Sequence, residues 1–161
     1  MMRKPILLTT MVVISTLFLN ASAQSGPGAQ GEKIFLAHAE NCLEAIDRAA
    51  REMSVQGVAV VAYIPGDSAK SWISKMRVVG ALTNGSANFL AIAYSKAAEM
   101  ADTFKNSGSG ARVPLHGEFG YQGGIIRKVE SGYILAVFSG ATGEQDAELA
   151  GMGVEWLNEY Y

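Results

Sequence analysis

A single cysteine, Cys42, and two histidines, His38 and His116, stand in a chain of 161 residues. One thiol cannot close an internal disulfide, and it excludes the zinc clusters built on several cysteines. Lysine and arginine number 13 against 15 aspartates and glutamates, so there is no basic excess of the kind that binds nucleic-acid phosphates. Charged residues are scarce at 17% while apolar residues reach 49%, the reverse of a disordered composition. Proline occurs 4 times and glycine 18 times, which favours tight turns and close backbone approach over stiff extended segments. Signatures of common catalysis are missing too. No G-x-S-x-G elbow, phosphate-binding loop, H-E-x-x-H or paired-carboxylate pattern occurs. Gly108-Ser109-Gly110 lacks the strand before it and the helix after it that a dinucleotide fingerprint needs.

The first residues read as an export address. Arg3 and Lys4 precede an uncharged apolar run, Ile6 to Leu19, and Ala21-Ser22-Ala23 supplies the small residues of a cleavage site. The apolar run is shorter than the roughly 20 residues a bilayer-spanning helix needs. The expected organisation is a signal peptide over 1–23, a flexible Gly/Ser/Pro linker over 24–31 and one domain over 32–161. The product is then periplasmic or secreted, with no membrane contact after cleavage. In an oxidising compartment the default for Cys42 is a buried small hydrophobe.

From Glu32 to Met53 the residues Phe35, Ala39, Cys42, Ile46, Ala49 and Met53 recur at spacings of three and four, the stripe of an amphipathic helix. Val58 to Ile64 is an unbroken, largely β-branched run, suited to a strand covered on both faces. After the Pro65-Gly66-Asp67 turn signal, Trp72 to Val79 alternates imperfectly, as a half-exposed partner strand does. Ser86 or Asn88 can cap a second helix whose stripe runs from Phe89 to Phe104 and includes Lys96. Lys105 to Leu115 is a polar, Gly-rich loop. Strands are expected over Gly124 to Val129 and Tyr133 to Phe138, joined at Glu130-Ser131-Gly132. Thr142 with Gln145 forms a capping box opening a last helix. Hairpin connections predict an antiparallel sheet with packed helices, the α+β class.

Several short elements then resemble one family. Gly123-Gly124, Ser139-Gly140, Gln145-Asp146 and Ala150, with Val58-Ala59-Val60-Val61, Lys75-Met76 and Ser95-Lys96-Ala97 upstream, are similar in order and spacing to the GlcG/HbpS family. That family includes extracellular haem-binding proteins and the C-terminal domain of PduO. The resemblance implies a profilin-like three-layer sandwich with a five-stranded antiparallel sheet, homo-oligomeric assembly, and a bound small molecule such as haem. Where such proteins carry acidic residues after the first strand and after the methionine, this chain reads Ala62-Tyr63 and Arg77.

Lys96 is the most informative single residue. An ammonium in an apolar stripe is costly unless it snorkels or meets a partner. The choices are a ligand anion, Glu99, Asp146 or a helix C-terminus. His38, one helical turn before Cys42, is a candidate axial ligand for haem, an assignment the resemblance supports. His116, at the end of the Gly-rich loop, is a candidate ligand contact, as are Tyr63, Met76 and Tyr121 as pocket walls or weak haem ligands. Gly124, with Gly123 and Ser139-Gly140, either presents backbone N–H groups to a ligand or permits turns. The expectation is an exported haem- or small-ligand-binding module in which His38 and Lys96 face one hollow. The rivals are an enzyme acting on a small organic acid or on haem, and a non-catalytic oligomeric interaction domain.

Overall fold

A computed structural model describes residues 26–161. Segments 1–23 and 24–25, expected as signal peptide and the start of the linker, lie outside the described residues. No described helix is long and apolar enough to cross a membrane.

The first helix, α1 (Pro27–Glu52), begins earlier than expected. Most of the segment read as a flexible linker is helical. Pro27 occupies the first turn, where a missing N–H costs nothing and the fixed φ suits a helix. Tertiary contact then holds the added turn. Gly31 lies against the Tyr63 hydroxyl and Ser131, where a Cβ would collide, and its carbonyl accepts a 2.7 Å hydrogen bond from the Tyr161 hydroxyl. Downstream, Phe35, Ala39, Cys42, Ile46 and Ala49 are buried, as their spacing predicts.

Strand β1 (Gly57–Pro65) pairs antiparallel with β2 (Ile73–Val79) on one side and β4 (Gly132–Ser139) on the other. Strand β3 (Gly124–Val129) closes the far edge, so the order is β2-β1-β4-β3. Its central place explains why β1 is apolar at every position. Ala59, Val61 and Tyr63 face one helical layer, while Val58, Val60, Ala62 and Ile64 face the other. Helices α1 and α3 (Gly143–Asn158) cover the first face, and α2 (Phe89–Thr103) covers the second.

Caps set the helix starts. Asn88 accepts from the Ala91 N–H at 3.0 Å, and Thr142 with Gln145 forms the expected box. The sheet has four strands among the described residues rather than five. Segment 105–123, which precedes β3, turns repeatedly instead, with Gly108, Gly110, Gly117, Gly120 and Gly123 all at positive φ. The chain changes direction at these glycines, and the segment contributes no strand to the sheet.

Candidate functional site

The site lies where α2, the end of β4 and the start of α3 meet. Lys96 is carried inward by the buried stripe of α2 and is 2% exposed. Its Nζ donates to Asp146 Oδ2 at 2.7 Å and to the Phe138 carbonyl at 2.8 Å. Asp146 sits one turn into α3, and its other oxygen accepts from the Ala141 N–H at 3.0 Å. Of the partners open to Lys96 in the sequence, the fold selects Asp146. Burial pushes the Lys96 ammonium below its ordinary range, against the pull of Asp146. Burial likewise pushes the Asp146 carboxyl up, against Lys96 and the backbone donors. Removing one partner of such a pair strands a buried charge at a cost of about 3–5 kcal/mol.

Gly123 seals this pair. Its φ is +119°, and a Cβ there would run into Lys96 Nζ, Asp146 Cβ and the Phe138 carbonyl. Its carbonyl meanwhile accepts from the Phe138 N–H at 2.9 Å. Ser139 and Gly140 leave β4 beside it. The elements Lys96-Ala97, Gly123-Gly124, Ser139-Gly140 and Gln145-Asp146, scattered along the chain, thus converge on one ion pair.

Above the pair opens a cavity of about 440 Å³. Phe89, Ile92 and Ala141 supply apolar wall, and Asn84, Tyr121, Gln122, Ser139, Lys96 and Asp146 supply polar groups, with Gly143 at the α3 N-terminus. A neighbouring hollow of about 550 Å³ is bordered by Ser107, Gln122, Gly124, Glu144 and Glu148. Gly124 reaches only this second hollow; its N–H donates to Ser107 Oγ at 2.9 Å.

The other candidates lie elsewhere. His38 stacks on Tyr160 with ring centroids 3.7 Å apart, near Trp156, at the C-terminal end of α3. Asp146 and Tyr160 are separated by about 20 Å at 1.5 Å of rise per residue. His38 and Lys96 therefore do not face one hollow, because they meet opposite ends of α3. Tyr63 is fully buried in the α1 face, donates to the Ser131 carbonyl at 2.8 Å and stacks on Tyr161. Met76 packs on the α2 face from β2. His116 is exposed in the loop. Cys42 donates weakly to the Gly153 carbonyl at 3.3 Å, and burial pushes its thiol up to about 12. It is core, as its place in the stripe indicated. Where acidic residues were missing relative to the family pattern, Ala62 and Tyr63 are buried, and Arg77 pairs with Glu40 at 2.6 Å.

The Gly-rich loop is tied to α2. Arg112 binds Glu118 through two contacts of 2.6 and 2.8 Å and reaches Asp102 at 2.9 Å. The Phe119 N–H donates to Ser95 Oγ, and the Gly108 N–H donates to Glu99 Oε1. These anchors hold Tyr121 and Gln122 over the cavity. Asn84, Gln122 and the Ser139 side chain were not singled out from the sequence. A polar residue closing a strand, or lying in a turn, carries no local mark of the cavity it will border.

Among the cavity-lining residues, Tyr121 is the one of a type that ligates haem iron. Histidine, cysteine and methionine are absent from that lining, and the Lys96 amine is taken by Asp146. No group of three His, Cys, Asp or Glu side chains among the described residues is arranged to hold a metal ion.

No family profile matches the chain, and no curated protein does. Among solved structures it is similar to one titled "Crystal structure of Ybr137w protein", with 16% identity and a TM-score of 0.49 over 93% of this chain and 98% of that one.

Proposed function

We propose that this chain is an exported small-ligand-binding module of the GlcG/HbpS type, with its ligand in the cavity between α2 and the N-terminus of α3. The observation that carries the reading is the convergence of the family-like elements on the Lys96–Asp146 pair at the floor of that cavity. A buried ion pair is a poor device for stability alone, since well-packed apolar residues of similar volume often do as well or better. Its retention under an open, polar-lined hollow is better accounted for by recognition. The export-like pattern over 1–23 supports a location outside the cytoplasm. The exposed apolar residues Val113, Leu115, Phe119 and Tyr121 support the homo-oligomer that the resemblance implies. Haem is the less suitable ligand, since Tyr121 is the one residue of an axial-donor type on the cavity wall.

The test is a thermal-shift screen of small hydroxy, carboxy and amide compounds, with haemin included. A ligand at a hundredfold excess over its Kd stabilises the fold by about 2.7 kcal/mol. Ile92→Trp, which adds bulk to the cavity wall from α2 and leaves Lys96 and Asp146 unsubstituted, is expected to abolish the response. Stabilisation that survives Ile92→Trp refutes the site, and a haemin Soret shift lost in His38→Ala moves binding to the other face.

A further inference from the structure

We infer that the ligand of this cavity is a small organic carboxylate, an inference that rests on the binding site proposed above and names its ligand class. Several polar atoms on the cavity wall are already engaged within the fold. Lys96 has three N–H donors, of which two go to Phe138 and Asp146, leaving one. Asp146 accepts through both oxygens, so the one carboxylate on the wall is neutralised and occupied. Asn84 Oδ1 accepts from the Ser86 and Ala87 N–H groups at 3.2 and 2.9 Å. Backbone donors fix which end of that amide is oxygen, so its NH₂ is the end left over. Ser139 is 3% exposed and borders the cavity, yet its hydroxyl has no hydrogen-bond partner among the described residues. Gly143 is the first residue of a 16-residue helix, where the N–H has no partner inside the helix and the dipole favours negative charge.

The surplus on the wall is therefore of donors. One ammonium N–H, one amide NH₂ and one helix-start N–H belong to residues that line a hollow with no unengaged carboxylate, while Ser139, Tyr121 and Gln122 each bring a donor together with an acceptor. Glu144 is acidic and close in sequence, but it borders the second hollow. An oxyanion meets this surplus with acceptors alone, whereas an ammonium ligand adds further donors to it. Phe89, Ile92 and Ala141 add an apolar wall that a bare inorganic anion would leave wet. Carboxylate at the α3 end and a short carbon body against α2 match both halves.

The test is a ¹H–¹⁵N NMR titration of the protein with benzoate, butyrate and lactate, each paired with its neutral amide, and with inorganic phosphate. The expected result is a saturable shift of the Ser139 and Gly143 amides by at least one acid, about tenfold tighter than its amide. Asn84→Asp keeps the acceptor for Ser86 and Ala87 but puts a negative oxygen where the NH₂ was. It is expected to weaken the acid at least tenfold, with other resonances unmoved, as is Ser139→Ala. Equal binding of acid and amide, or indifference of the acid to Asn84→Asp, overturns the carboxylate while leaving the cavity as a site. Phosphate binding tighter than every carboxylate overturns the organic ligand. Silence of these amides towards all probes overturns the cavity as a site and the carboxylate with it.

Discussion

The two faces of the sheet are built on different principles. Against α1 and α3 the packing is almost wholly apolar, from Phe35 through Leu43 and Ile46 to Leu149 and Leu157. The polar atoms there, such as the Tyr63 hydroxyl and the Cys42 thiol, are satisfied by backbone carbonyls. Against α2 the apolar cluster is smaller, and its margin holds the buried Lys96–Asp146 pair, buried Glu99 and the cavity. Close packing resists a void, so the first face suits stability. A hollow with unpaired donors costs stability and is maintained only beside a face that supplies it. One layer holds the fold, and the other carries the cavity proposed as the binding site.

The sharpest way to break this comparison is to remove one charge of the pair. Lys96→Met alone is expected to cost about 3–5 kcal/mol in urea unfolding, through the stranded Asp146 carboxylate. Lys96→Met with Asp146→Leu is expected to recover most of that loss and to bind no carboxylate. A double variant no more stable than the single one contradicts the account of the pair. On the opposite face, Ile46→Ala is expected to cost about 2–5 kcal/mol through the cavity it leaves, with ligand affinity unchanged. A matching loss of affinity in Ile46→Ala means the two layers are not separable.

A third prediction concerns the loop over the cavity. The Arg112 guanidinium, aided by the Leu115 N–H, holds the Glu118 carboxyl down at about 2. A carboxyl whose pKa is depressed on folding contributes its stability above the ordinary carboxylate range near 4.5. That contribution fades as pH falls from there through about 2. The Leu115 amide resonance, reporting its bond to Glu118, is expected to titrate near 2 rather than near 4.5. The smallest effect is expected at His38. Its imidazole stacks on Tyr160, so His38→Ala should alter tyrosine and tryptophan fluorescence and leave cavity binding within error.

How much was legible follows from the range of each interaction. Stripes at three and four residues marked the helices, and the capping box at Thr142 placed the start of α3. The unbroken run from Val58 announced a central strand, because only a strand covered on both faces can be apolar at every position. Lys96 stood out because an ammonium in an apolar stripe requires a partner. Asp146 was one of four choices for that partner and nothing local singled it out, since it lies 50 positions away along the chain. The surroundings of His38 were hidden for the same reason. Its spacing from Cys42 placed it correctly on α1, but nothing local told that Tyr160 would cover its ring. The early start of α1 was hidden as well, because Gly28 and Gly31 are poor helix formers on their own. Contact with Pro65, Tyr63 and Tyr161 overrides that propensity.

By itself the order of residues determined the periodic elements, their caps and the class of fold, since these depend on neighbours within about one turn or one hairpin. Tertiary structure alone decided which charges meet, which ring is covered, which turns stay out of the sheet and where a hollow remains. Those outcomes depend on groups remote along the chain arriving at the same point, and no local propensity encodes that coincidence.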